Sequence, residues 1–288
     1  MPSLRDLRTL LRPRHWVKNA FVLMPLPFAL ATGSTADWSV IALGVLGMCL
    51  ASSAVYALND AADAAQDRLH PEKRARPVAS GRVSVGQARA LAVGLAVPGI
   101  ALPWLSSGAD AGGLVIVYLV LNLLYSHGGK DVPLVDVFLI SSGFVLRVLL
   151  GCALIVVTPS NWLLLCSSTL ALFLALAKRR ADCARGIGSE HRPSLTGYSL
   201  GFLDQASGIS AGMAILSYSI YCIEAGVLVP GREFASMPFV LFGVLDYMRV
   251  SQLRPEHSFP VDVLLSSRAL LVTGTGWVAS VIWSLGLI

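Results

Sequence analysis

Long apolar runs alternate with short polar breaks along this chain. Predominantly apolar segments cover residues 16–32, 38–58, 85–105, 111–126, 134–157, 160–177, 206–229, 235–248 and 269–287. A strand buried on both faces lasts about four to eight residues, whereas most of these segments run for roughly 16 to 24, the length of a helix that crosses the hydrocarbon core of a bilayer. The pattern predicts an all-α, polytopic membrane protein with about nine transmembrane helices if each segment crosses once, built as a single membrane domain over residues 1–288. The fourth and eighth segments are short, and an error in either reverses the topology beyond it.

Composition agrees with that pattern. Hydrophobic residues make up 55% of the chain and charged residues 14%, at a mean hydropathy of +0.69, which leaves too little polar surface to coat a soluble globule. The charges are also one-sided. Arg5, Arg8, Arg12, Arg14 and Lys18 stand at the N-terminus, and alternate loops carry the cations of residues 68–89, Lys130, those of 178–192, and Arg249, Arg254 and Arg268. The intervening loops "TGSTAD", "SSGADAG" and "TPS" have no Lys or Arg, with Arg232 the exception on that side. The positive-inside rule then places the N-terminus and the basic loops on the cytoplasmic side of the inner membrane and the C-terminus outside. The net charge of +5 is explained by orientation and anionic headgroups, and no nucleic-acid partner is expected.

Some residue types carry little chemistry. Cys49, Cys152, Cys166, Cys183 and Cys222 are scattered, without metal-ligand spacing, as small hydrophobes in a core would be. His15, His70, His127, His191 and His257 fall in different basic loops, and none is singled out as a base. The first segment imitates a signal peptide, but the spans after it already insert the chain and "RPRHWVKN" is unlike an ordinary basic n-region.

The candidate chemistry gathers in "NDAADAAQDRLHPEKRARPVASG", residues 59–81. If the second span continues as a helix, Asp60, Asp63 and Asp67 fall within an arc of roughly 60°, with Asn59 beside them. Clustered carboxylates repel unless cations join them, and Mg2+ suits hard oxygen ligands that it shares with a substrate's phosphates. Pro71, Pro77 and Gly81 shape the following loop into a structured lid, from which Lys73, Arg74 and Arg76 reach phosphate oxygens. A solvated helix end and an orienting basic patch explain the same residues without a site. "YSHGGKDVPLVD" adds Tyr125, Lys130, Asp131 and Asp136, and "LAKRRAD" adds Lys178, Arg179 and Asp182. Arg147 lies inside an apolar run about three turns after Asp136, a functional position or a partner for a carboxylate or helix carbonyls.

"NDAADAAQD" resembles the NDxxDxxxD motif of the UbiA superfamily, intramembrane prenyltransferases with nine helices around a magnesium-diphosphate site. "RPRHWVKN", "DRLHPEKRARPVASG", "YSHGGKDVPLVDVFLISSGFVLRVLLG" and "AKRRAD" are similar, in order, to its decaprenyl-phosphate phosphoribosyltransferase branch, which includes nodulation protein NoeC. The resemblance implies a UbiA-like bundle that transfers 5-phosphoribose from phosphoribosyl pyrophosphate to a polyprenyl phosphate lipid, a step towards arabinosyl donor lipids, and a possible homo-oligomer. It implies Mg2+ on Asp60, Asp63 and Asp67 with Asn59 beside them, and diphosphate or 5-phosphate on Lys73, Arg74 and Arg76. Arg14, Lys18, Lys130, Lys178 and Arg179 are its candidates for the second anionic group. Two departures matter. A lone Asp182 replaces the second aspartate motif of aromatic prenyltransferases, and Ser267 precedes Arg268 where the branch often has an acid. The alternatives are an aromatic prenyltransferase, using the same aspartates, and a membrane transporter.

Overall fold

The computed structural model describes residues 3–69, 73–186, 193–224, 226–254, 263 and 266–287. His70, His191, His257 and half of "VDVLLSSR" lie outside the described residues. The described chain is helical, without strands. Helix α1 (Leu4–Leu11) precedes a 3-10 segment (Pro13–Leu23), followed by α2 (Leu26–Ala31), α3 (Trp38–Ala62), α4 (Ala64–Leu69), α5 (Val85–Ser107) and α6 (Ala109–Ser126). Then come α7 (Val135–Leu154), α8 (Asn161–Ala184), α9 (Leu200–Glu224), α10 (Met237–Leu253) and α11 (Arg268–Ser284).

Local chemistry explains the boundaries. The Asp37 carboxylate accepts from the Ser39 and Val40 amides to start α3, and Ser84 with Gln87 forms a capping box that starts α5. The first predicted span is the least regular: Pro13 precedes it, Pro25 and Pro27 punctuate it, and it folds as a 3-10 segment and then a short α-helix. Six helices, α3 and α5 to α9, are long and apolar enough to cross a membrane. Helices α10 and α11 have 17 residues each, about 25 Å at 1.5 Å per residue, short of a full crossing if straight. Helix α3 outlasts its predicted apolar stretch by a turn, enough to carry Asn59 and Asp60, and α8 continues through Lys178, Arg179 and Asp182.

The chain divides into two compact units. One comprises residues 1–24, 36–129 and 146–157; the other comprises 25–35, 130–145 and 158–288. In the first, Met48, Ala51 and Val55 of α3 pack with Val115 of α6 and Leu150 of α7. Helices α3 and α5 approach closely because a Cβ on Gly99 would meet the Ala51 backbone nitrogen at 2.9 Å, and one on Gly47 would meet the Gly99 carbonyl oxygen at 2.9 Å. In the second unit, Phe173 and Ala177 of α8 pack with Ala211 of α9 and Tyr247 of α10. Arg232, the exception to the charge pattern, lies 4.2 Å from the Trp283 ring centroid and donates at 2.8 Å to the Trp283 carbonyl. Its charge therefore sits at the negative end of α11, which gives that cation a structural purpose.

Candidate functional site

The acidic stripe survives the end of α3. Asp63 leaves helical geometry as the C-cap, yet its amide donates to the Asn59 carbonyl and the Asp67 amide donates to the Asp63 carbonyl, both at 2.8 Å. Helix α4 therefore carries on nearly in register, and Asp60 and Asp67 face the same partner. Arg76 Nη1 donates to Asp67 Oδ2 at 2.8 Å and to Asp60 Oδ1 at 3.2 Å. Arg12 Nη2 donates to the same Asp60 oxygen. Both carboxylates are buried, at 1% and 3% exposure, and Asp60 Oδ2 has no hydrogen-bond partner among the described residues. Asp63 is half-buried. The Ser126 hydroxyl, at the end of α6, donates to Asn59 Oδ1 at 2.6 Å.

No group of three or more His, Cys, Asp or Glu side chains among the described residues stands close enough to hold a metal ion. One or two carboxylates are nevertheless what Mg2+ takes when it shares a site with phosphates. The oxygen-only donor set and the bare, buried Asp60 Oδ2 fit that ion, because an unused carboxylate oxygen out of water is costly unless a cation joins it.

The basic loop folds back onto the stripe. Lys73–Ala75 form a 3-10 turn, with Lys73 half-buried and Arg74 exposed, while Arg76 turns inward. Val78 and Val83 anchor the loop by packing with Leu10, Ala61, Ala64 and Ala88. Arg68 Nε donates to the Ala79 carbonyl at 3.1 Å, and Arg82 Nε donates to Asp6 at 2.9 Å. The Ser3 hydroxyl and then Arg82 hold the Asp6 carboxyl below the usual carboxylate range, so this tie to α1 stays ionic at neutral pH.

Sequence reasoning missed Arg12. It selected Arg14, which is exposed, and Lys18, which is half-buried, from the same basic run. Arg12 caps α1 in the left-handed region, at φ 48°, and its guanidinium lies 5.1 Å from the Tyr56 ring centroid. A non-glycine residue in that conformation leaves no mark in the hydrophobic pattern; Pro13 is the one hint that α1 stops there.

Arg147 takes partners from three other elements of the first unit. Its Nε donates to Asn19 Oδ1 at 2.8 Å, and its Nη2 donates to the Tyr118 hydroxyl at 3.2 Å and to Ser52 Oγ at 3.4 Å. Its guanidinium also lies 4.8 Å from the Tyr118 ring centroid. Asn19, Ser52 and Tyr118 are all buried, and none was a candidate site residue from sequence, although Asn19 closes "RPRHWVKN".

Asp136 belongs to a second cluster. Its Oδ2 accepts from Arg179 Nε at 2.6 Å and from the Ser194 hydroxyl at 3.1 Å, and its Oδ1 accepts from the Tyr198 hydroxyl at 2.6 Å. The Tyr198 oxygen in turn accepts from the Leu134 amide at 2.6 Å, at a residue held at φ 66°. Burial, and then the bond to Asp136, pushes the Tyr198 hydroxyl up to about 12, so it remains a donor throughout the neutral range. Asp182 Oδ2 lies 3.5 Å from Arg179 Nη1. The side chains of Asp136 and Arg179 are 0% exposed, and both Asp136 oxygens are engaged. Lys130, Lys178 and Tyr125 are half-buried.

The acid lacking before Arg268 in sequence has a spatial counterpart. Asp246 of α10 accepts from the Ser267 hydroxyl at 3.2 Å, and the same Ser267 oxygen caps α11 by accepting from the Leu270 amide. The five cysteines are free thiols.

Residues 20–256 match the UbiA prenyltransferase family. The chain is 33% identical over 287 residues to a decaprenyl-phosphate phosphoribosyltransferase of Corynebacterium glutamicum, covering 94% of this chain and 84% of that protein. It is 32% identical over 279 residues to the Mycobacterium tuberculosis protein of the same name, covering 94% and 91%. In fold it is similar to a UbiA homolog from Archaeoglobus fulgidus bound to GPP and Mg2+, at 17% identity and a TM-score of 0.70 over 98% of this chain and 99% of that one. The family match and the near full-length relatives lead to one assignment: this polytopic membrane protein belongs to the UbiA prenyltransferase family.

Proposed function

We propose that this chain transfers 5-phosphoribose from phosphoribosyl pyrophosphate to a polyprenyl phosphate at the cytoplasmic face of the inner membrane, releasing diphosphate. The observation that supports this reading most is the 33% identity over nearly the whole chain to a protein named for that acceptor and that transfer. In the reaction, the bond from ribose C1 to the diphosphate oxygen breaks and a bond from C1 to a lipid phosphate oxygen forms. The acceptor is a phosphate monoester with a second pKa of about 6, so at neutral pH it is largely ionised and needs no protein base. The demanding event is departure of the diphosphate while C1 becomes oxocarbenium-like, and preorganised positive charge lowers that barrier.

Arg12 and Arg76 stand at the acidic stripe, where such charge develops. Asp60 and Asp67 would hold Mg2+, with Asp63 beside them, and the ion would supply charge stabilisation to the leaving diphosphate. Asn59, oriented by Ser126, fixes the approach to the stripe. Lys73 and Arg74 stand on the same loop for a second phosphate, and Lys18 and Arg147 form a cationic patch for an anionic headgroup. Asp136 and Arg179 hold Ser194 and Tyr198 in place and act on the reaction through the fold.

Purified protein incubated with labelled phosphoribosyl pyrophosphate, decaprenyl phosphate and Mg2+ is expected to yield a labelled lipid whose mass equals the acceptor plus one phosphoribosyl group. Absence of that lipid, together with turnover of an isoprenyl diphosphate and an aromatic acceptor, overturns the proposal in favour of aromatic prenyl transfer. Solute uptake without covalent change would instead indicate a transporter.

A further inference from the structure

Two of the three aspartates of the acidic stripe, Asp60 and Asp67, are already paired with arginine, and this bears on how a metal enters it. Asp60 and Asp67 bring two negative charges; Arg12 and Arg76 bring two positive ones, both bonded to Asp60 Oδ1, with Arg76 reaching Asp67 as well. A divalent cation brought to the remaining Asp60 oxygen, Oδ2, adds two positive charges beside two guanidiniums that already share that carboxylate. It must either work against their repulsion or displace Arg76 from its bridge. A diphosphate changes that balance: it supplies negative charge for the metal and a bidentate acceptor for the guanidiniums. The two arginines are also the less buried partners, at 20% and 29% side-chain exposure against 1% for Asp60, so they have room to exchange a carboxylate for a phosphate.

We propose that Arg12 and Arg76 make divalent-metal binding at Asp60 and Asp67 conditional on a diphosphate, so that metal and donor enter the site together and neither is held firmly alone. Arg76 is the coupling residue, because among the described residues it is the one that bridges the two aspartates, through one nitrogen. Metal-free aspartates stay paired with arginine between turnovers, and once either the released diphosphate or the metal departs, the other is held only weakly. This inference rests on the reading that the aspartates bind metal.

The test is manganese retained by the full-length protein in detergent, at matched free manganese, with and without inorganic pyrophosphate. Wild type is expected to bind the ion weakly by itself, with pyrophosphate strengthening binding about tenfold or more. Arg76→Gln is expected to bind manganese alone about tenfold more tightly than wild type and to respond little to pyrophosphate. Arg12→Gln removes one of the two donors on Asp60 Oδ1 and shifts binding the same way by a smaller factor, which keeps the test available if Arg76→Gln fails to fold. If both variants bind manganese alone no more tightly than wild type, while pyrophosphate still strengthens wild-type binding, the coupling role is wrong and the metal site stands. If wild type with pyrophosphate retains no more manganese than Asp60→Asn, the metal reading itself fails, and the coupling with it.

Discussion

Asp60 and Asp136 are both buried and both paired with arginine, yet their surroundings differ in how far their oxygens are engaged and how exposed their arginines are. At Asp60 two guanidiniums crowd one oxygen, the other oxygen has no hydrogen-bond partner among the described residues, and the arginine side chains keep 20% and 29% of their surface exposed. At Asp136 three side chains satisfy both oxygens, and its arginine is 0% exposed. A polar network whose acceptors are all met rigidifies the fold. One that leaves an acceptor unmet below partly solvated cations keeps capacity for a further partner. Burial and an ion pair are common to both, so neither feature by itself marks function; the unused oxygen and the more accessible arginines are what the proposal for Asp60 rests on.

The sharpest way to break this comparison is to neutralise Asp60. Asp60→Asn is expected to cut labelled-lipid formation by about 10²–10³-fold or more, because it removes the bare oxygen offered to a cation. Stability should change by no more than about 1 kcal/mol, since Arg12 can turn to water and Arg76 keeps Asp67. Product formation and thermal unfolding, measured on the same sample, give both readouts. An active variant removes Asp60 from the chemistry.

Asp136→Asn should invert that result. Removing its charge strands Arg179 without its closest carboxylate in a fully buried place, a loss of about 3–5 kcal/mol. The expected outcome is a large fall in melting temperature or in yield of folded protein, with activity per folded molecule largely kept. A variant as stable as wild type but inactive would place Asp136 at the substrate and dissolve the distinction drawn between the two aspartates.

How much of this was legible in the sequence follows from the same contrast. Asp60 and Asp67 are seven residues apart, so helical geometry brings them to one face even though Asp63 interrupts α3. The apolar segments likewise foretold where the long helices run, because length and polarity suffice for that. Rotation about each helix axis was not foretold. A helix that is apolar all round has no stripe to say which way it turns, so the sequence offers Arg147 to Asp136 three turns back. In the structure Arg147 bonds Asn19, Ser52 and Tyr118, and Asp136 takes Arg179. Arg12 was hidden for a different reason: its position depends on one left-handed residue at a helix end. Ser194 and Tyr198 were hidden by distance, since an ordinary serine and tyrosine in a loop gain meaning only once that loop is folded against α7 and α8.

Tyr198→Phe probes the second cluster most gently. The substitution keeps the ring and deletes one oxygen, which donates to Asp136 and accepts from the Leu134 amide. Both partners then lose a bond, and a buried carboxylate short of one donor costs about 1–2 kcal/mol. Activity per folded molecule should be unaffected at neutral pH. The pH dependence carries a sign that isolates this hydroxyl. Its folded pKa of about 12 exceeds the ordinary 10.0, so the folded state favours the protonated form. The wild type should therefore hold this contribution below pH 10 and lose it as pH rises towards 12, whereas Tyr198→Phe has no such contribution to lose. The gap in unfolding free energy between the two proteins is expected to shrink across that interval. A gap that stays constant would mean that the hydroxyl is not the proton donor to Asp136, and that the carboxylate is balanced by Arg179 and Ser194 alone.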